Sequence, residues 1–204
     1  MHALQEVWIR PRKVFRELAV RPVGAMDYVL SAGQGVALAL LFSRTKDMGQ
    51  TEGLGQILLQ ALAQGTISGI AWIWIQAWIY TWLGRQAGGV AKRAQVMHVL
   101  SYGSVPLMAT LAVWCLAALV MGRQAFMEHP TGETDLFVVL LMGVQTLAYV
   151  VPALWSVVLQ IMGLSEVHQV RFRGALGTWL LGQAVLTLLA LVFLLAVGMP
   201  LQPV

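Results

Sequence analysis

The strongest constraint in this sequence is a run of 26 residues, 96–121, that contains no Asp, Glu, Lys or Arg. The hydrocarbon core of a bilayer is about 30 Å thick, and roughly 20 apolar residues cross it as a helix. The run is therefore long enough to span a membrane. It also contains Pro106, which has no N–H to donate and disfavours helical dihedral angles at the preceding residue. We therefore expect a short helix over residues 96–103 and a true span that starts at Pro106.

The joint between these two helices is predicted around Gly103, just before Pro106. Backbone groups that are freed at membrane depth cannot bond to water, so neighbouring helices or side chains must satisfy them. The hydroxyl groups of Ser101, Tyr102 and Ser104 are available for this. The joint should therefore be packed against other helices and face inward.

Composition places the whole chain in the same class. Of its 204 residues, 58% are hydrophobic and only 11% are charged, and the mean hydropathy is +0.74. About a quarter of the residues in soluble domains are charged, so a soluble globular protein is excluded. The pattern predicts an all-α polytopic membrane protein with five transmembrane helices, at about residues 23–42, 57–83, 96–121, 136–162 and 174–198.

The first 22 residues are predicted to form an amphipathic interfacial segment in front of the membrane domain, residues 23–204. After Pro11, apolar side chains at 14, 15 and 18 recur at helical spacing, and charged side chains occupy the other side. A helix of this kind can lie at headgroup level, where Trp8 would help to anchor it. The alternative is a basic docking site for an anionic partner.

Basic residues predict the orientation. Ten of the 13 Lys and Arg residues lie in the amino-terminal segment and in the second and fourth loops, which share one side of a five-span protein. Cytoplasmic loops carry the excess of Lys and Arg. The amino terminus is therefore expected in the cytoplasm and the carboxyl terminus outside. Because these cations form short patches between apolar runs, we expect no nucleic-acid partner.

Asp27 is the only carboxylate inside any predicted span. An ionisable residue at such a position is a functional candidate by default. The alternative is structural, because Asp27 lies about one turn inside the helix, near Arg21, where it can reach the interface or favour the positive end of the helix dipole.

Reaction-bearing motifs are absent from the sequence, so we expect no catalytic residue, cofactor or metal. The four histidines fall on both predicted sides of the membrane, and the single cysteine, Cys115, is expected to be a small buried hydrophobe. His98 lies four residues before Tyr102, which predicts a hydrogen-bonded structural pair on one helical face.

Three further features concern helix packing. In the second span, Trp74, Trp78 and Trp82 share one face, and an exposed lipid-facing or interfacial stripe is preferred over a ligand cage. Tyr80 is expected in the same interfacial belt. The glycines at 65 and 69 have the small-residue spacing that lets helix backbones approach closely. Pro152, in the fourth span, predicts a kink.

Several short motifs resemble the Yip1 family of five-span membrane proteins. They are MHVLSYGSVPL at residues 97–107, the triplet that contains Trp155 at 154–156, GLS at 163–165 with His168, RGA at 173–175, and PRKVFREL at 11–18, which resembles the start of the bacterial branch. The resemblance implies five helices, a cytoplasmic amino end and a place in a bacterial inner membrane. Eukaryotic members contact Rab-type GTPases, whereas bacterial members largely lack an assigned activity.

The GTPase role is not carried over, because this chain has only about 22 residues before the first span and lacks the Asp-Leu-Tyr-Gly-Pro motif of the eukaryotic members. The first hypothesis is a non-enzymatic protein that organises the bilayer, self-associates or recruits other membrane proteins. The second is a small transporter, channel or lipid-moving protein built on the breaks at Pro106 and Pro152. The candidate functional or structural residues are Asp27, His98, Tyr102, Gly103, Pro106, Pro152 and Trp155.

Overall fold

The computed structural model of the protein describes residues 2–127 and 136–196, which are helical with short connections and contain no strand. The helices are α1 (His2–Ile9), α2 (Pro11–Leu18), α3 (Ala25–Thr45), α4 (Met48–Thr51), α5 (Leu54–Gln86), α6 (Arg93–Gly103), α7 (Val105–Met121), α8 (Leu136–His168) and α9 (Phe172–Ala196), with a 3₁₀ turn at Gly122–Phe126 after α7.

Five helical stretches are long and apolar enough to cross a membrane, counting α6 and α7 as one. The prediction of an all-α polytopic membrane protein is confirmed. The structure lengthens several predicted spans; the second, for example, occupies Leu54–Gln86 instead of residues 57–83. The predicted end of the fifth span at residue 198 lies outside the described residues.

The predicted break in the third span is also confirmed. Helix α6 ends at Gly103, α7 begins at Val105, and Pro106 occupies the first turn of α7. Ser104 lies between the two helices and is fully buried, and its hydroxyl donates a 2.7 Å hydrogen bond to the carbonyl of Ser101. Helix α8 continues through Pro152 as one element. The kink expected at Pro152 stays a prediction.

Helices α3 and α5 make the most extensive interhelical contact of the described residues, and glycines form its centre. A Cβ atom built on Gly35 would collide with the carbonyl of Gly65 and lie 2.7 Å from the Cα of Gly69. Such an approach is possible only where neither backbone carries a side chain. The close-approach role predicted for Gly65 and Gly69 is therefore confirmed.

The amino-terminal helices pack on this bundle. Val14, Phe15 and Leu18 of α2 are buried, as the amphipathic pattern predicts, but their contacts are with protein. A Cβ atom on Gly163 of α8 would lie 3.0 Å from the ring of Phe15, so this glycine makes room for the phenylalanine. The apolar face of α2 therefore rests on α8 and α6.

The exposed fractions of the tryptophan side chains in α5 test the prediction of an outward-facing aromatic stripe. Trp74, Trp78 and Trp82 are 44%, 58% and 51% exposed, which confirms an outward-facing stripe. The prediction for Tyr80 was wrong, because this side chain is fully buried and packs where Gly182 of α9 leaves space. The expectation for Cys115 was also wrong: it is exposed, on the outer face of α7.

Candidate functional site

A buried cluster of polar side chains joins the start of α3 to the middle of α6. Oδ1 of Asp27 lies 2.7 Å from Nδ1 of His98 and accepts a 2.7 Å hydrogen bond from the hydroxyl of Ser101. The exposed fractions are 3% for Asp27, 2% for His98 and 0% for Ser101. We call these three residues the polar joint.

Local sequence explains why Asp27 lies there. Gly24 is extended and caps α3, and its N–H donates a 2.9 Å hydrogen bond to Oδ2 of Asp27, at the third helical position. This is the acidic half of a capping box, and a carboxylate here is favoured by the helix dipole. The dipole role suggested by the sequence is therefore consistent with the geometry. The carboxylate is buried and bonds within the protein.

The two ring nitrogens of His98 both face oxygen atoms. Nε2 lies 3.1 Å from the carbonyl oxygen of Arg21, which can only accept, so Nε2 carries a proton. Nδ1 faces the carboxyl oxygen of Asp27 at 2.7 Å, and one proton must lie between them. The pair is either a carboxylate with an imidazolium or a carboxylic acid with a neutral ring, and it has no net charge in both forms. The joint therefore satisfies its buried polar atoms internally.

The polar joint connects three parts of the chain. Asp27 belongs to α3, His98 and Ser101 belong to α6, and the carbonyl of Arg21 belongs to the segment that leads in from α2. One turn before His98, the side-chain amide of Gln95 donates a 3.1 Å hydrogen bond to the carbonyl of Ala19. Hydrogen bonds from side chains of α6 therefore fix the position of the segment that follows α2.

The other candidate residues near the α6–α7 break are not members of the polar joint. His98 has partners other than Tyr102, the one that the sequence suggested; Tyr102 lies in the buried core with 8% exposure. Gly103 faces Gln160 of α8, whose Cγ would lie 2.8 Å from a Cβ atom on the glycine. The side-chain oxygen of Gln160 in turn accepts a 3.1 Å hydrogen bond from Nε1 of Trp179.

A comparison with models of protein families identifies the family of this chain. The family model of the Yip1 domain matches residues 6–198, nearly the whole chain. The chain belongs to the Yip1 domain family. The resemblance seen in its short motifs is confirmed. A comparison with curated proteins and one with solved structures each find no match.

Pro152 and Trp155 occupy a different part of this Yip1 domain. Together with Trp8 of α1 they line an apolar groove of about 430 Å³ on the outer face of α8, whose remaining walls are Val151, Leu154 and Val158. None of the three residues of the polar joint lines this groove. The structure therefore separates the seven candidate residues into a buried group at the α6–α7 break and an outward-facing pair on α8.

Some hydrogen-bonded pairs in this Yip1 domain could not be predicted from the sequence around either residue. Asp27 and His98 are 71 residues apart, and nothing near either residue indicates the other. The place of Asp27 in the first turn of α3, by contrast, is a local signal, because acidic residues are favoured there. Within residues 2–127 and 136–196, no group of three or more His, Cys, Asp or Glu side chains could hold a metal ion.

Proposed function

We propose that this integral membrane protein of the Yip1 family works without turning over a substrate, by presenting its amino-terminal helices as a fixed platform for membrane organisation or partner recruitment. We place it in a bacterial inner membrane. Residues 1–22 would be the cytoplasmic platform, residues 23–204 the membrane domain, and the carboxyl terminus would lie outside. The proposal is supported by the packing, ion-pair and hydrogen-bond contacts that hold α1 and α2 against the bundle.

Three kinds of contact hold the platform. Phe15 is fully buried against α8, and Val7 of α1 is fully buried in the same core. Nη2 of Arg16 lies 2.7 Å from Oε1 of Glu166 on α8. The segment after α2 is held by the hydrogen bonds to the carbonyls of Ala19 and Arg21. A tail that served only as a flexible tether would not need these contacts.

The outward side of the platform is basic. Arg10 and Arg12 are exposed, and no carboxylate of the described residues lies within 4 Å of either guanidinium. A fixed pair of cations can attract anionic lipids or an acidic protein surface. The chemistry that the platform offers is therefore binding.

Reconstitution into vesicles tests the proposal. The wild-type protein should change vesicle size or clustering, or self-associate, as measured by light scattering and chemical crosslinking. Phe15→Ala should weaken the effect because it loosens the platform, whereas Ile9→Ala, at a position that is 82% exposed on the same segment, should leave it unchanged. Protein that stays monomeric and leaves vesicles unaltered would remove the support for this function.

Topology is tested separately by cysteine labelling in a Cys115→Ala background, because the native cysteine is exposed. Gln5→Cys and Gln202→Cys should react with a membrane-impermeant reagent from opposite sides, the first from the cytoplasm. Labelling of both positions from one side would contradict the proposed five-span orientation.

The alternative of a transporter, channel or lipid-moving protein has less support. Asp27 and His98 are almost inaccessible, and their polar atoms bond within the protein instead of lining an open path. A flux or lipid-scrambling assay on proteoliposomes tests this alternative. Activity that is lost in Asp27→Ala and Tyr102→Phe proteins that remain folded would favour it, and activity that is unchanged would exclude these residues as the pathway.

A further inference from the structure

A second polar site lies on the outer surface, at the junction of α5 and α6. A pocket of about 170 Å³ is lined there by Arg85 and Arg93 together with Trp78, Thr81 and Trp82. Four of these residues, at 78, 81, 82 and 85, follow the helical spacing of a single face of α5, and Arg93 is the first residue of α6. We call this the arginine pocket.

The arginine pocket carries positive charge that no carboxylate of the described residues contacts. Arg85 and Arg93 are both exposed, and Lys92 precedes the second of them. The sequence contains no Asp or Glu from residue 53 to residue 127. Among the described residues, no carboxylate lies within 4 Å of either guanidinium. An anion is therefore the ligand that this pocket would attract.

The remaining walls indicate what kind of anion it is. Trp78 and Trp82 expose more than half of their surface, and Trp74 continues the same face one turn further into the span. Tryptophan at such a position is typical of the boundary between headgroups and hydrocarbon, and basic pockets between spans bind anionic headgroups. The hydroxyl of Thr81 already donates to the carbonyl of Ala77, at 2.6 Å. Among the described residues, neither guanidinium group has a hydrogen-bond or ion-pair partner, so both remain available as donors.

We infer that the arginine pocket binds an anionic phospholipid. The phosphate diester accepts hydrogen bonds from Arg85 and Arg93, and an acyl chain lies along the exposed indoles of Trp78 and Trp74. Guanidinium suits this role because its planar fork matches phosphate oxygens. A zwitterionic lipid is disfavoured because its ammonium group would approach uncompensated cations. The inference does not depend on the proposed platform function.

Native mass spectrometry of the full chain in neutral detergent tests the inference with phosphatidylglycerol and phosphatidylcholine as probes. The wild-type protein should retain phosphatidylglycerol in preference. In Arg85→Gln/Arg93→Gln the affinity for phosphatidylglycerol should fall about tenfold or more, from the usual contribution of two basic side chains near a charged surface. Lys46→Gln/Arg123→Gln removes the same charge from exposed positions outside the pocket and should change this affinity less than about threefold.

Three results would overturn the inference. The first is equal retention of both lipids by the wild-type protein, a measurement that does not depend on any variant folding. The second is an equal loss of affinity in the two double variants, because binding would then follow net charge alone. The third is displacement of phosphatidylglycerol by millimolar inorganic phosphate, which would identify the ligand as a free phosphate. Displacement by added phosphatidylglycerol alone would support the lipid.

Discussion

Helix α3 is held to its neighbours by two contrasting contacts. Against α5 it uses glycine, so that Gly35 meets Gly65 and Gly69 backbone to backbone. Against α6 it uses polar side chains, with Asp27 bonded to His98. Lipid is as apolar as a leucine side chain, so apolar burial gives little preference for one helix over another, and close packing and hydrogen bonds must supply it. The difference is that the glycine contact depends on shape and the polar joint depends on pairing.

Loss of the pair formed by Asp27 and His98 should destabilise the protein most. Asp27→Ala should lower the free energy of unfolding by about 3–5 kcal/mol, because removal of one partner leaves the other buried and unpaired. Asp27→Ala/His98→Ala should cost clearly less than the sum of the two single substitutions. Chemical unfolding of the four proteins in detergent micelles gives the coupling free energy directly.

Simple additivity in that cycle would contradict the pairing and would reduce the joint to two independent buried residues. Glu17→Ala serves as the control, because its carboxylate is about half exposed and is paired with Lys13 only at the surface. It should change the free energy of unfolding by less than about 1 kcal/mol.

The glycine contact should give an intermediate effect. A methyl group on Gly35 collides with backbone that cannot move aside, so Gly35→Ala should lower the free energy of unfolding by about 1–3 kcal/mol. Gly55→Ala, in α5, is the matched control because nothing lies within 4 Å of its Cβ position. Thermal unfolding of both variants separates steric overlap from helix propensity.

Equal behaviour of the two glycine variants would show that α3 and α5 do not approach as closely as described. The control should be neutral or stabilised by up to about 1 kcal/mol, because alanine restricts the unfolded chain more than glycine does.

The surface ion pair of Arg16 and Glu166 should contribute least to stability. The pair of Arg16 and Glu166 has a distance of 2.7 Å, as short as that of the buried pair, but the arginine side chain is 73% exposed. Arg16→Gln should therefore change the free energy of unfolding by no more than about 1 kcal/mol, and the effect should shrink with added salt. A loss as large as that of Asp27→Ala would mean that distance, and not burial, decides the strength of such pairs.

Much of the fold could be predicted from residues alone. Five apolar runs, the break before Pro106 and the close-approach glycines at 65 and 69 are local patterns, and each is present in the structure. The candidate site was predicted only in part. His98 was expected to pair with Tyr102 because helical spacing is visible in a sequence, whereas its bonds go to Asp27 and Arg21.

Tyr80 is a second case in which local sequence did not indicate the contacts of a side chain. Helix α5 is apolar on all sides, so its composition does not indicate which face meets protein and which meets lipid. Local sequence was sufficient to predict a five-span membrane protein with a break in its third span, because bilayer thickness and proline stereochemistry act on local stretches. The buried pair of Asp27 and His98 and the inward position of Tyr80 depend on tertiary packing, because partners far apart in the chain meet only after the helices pack.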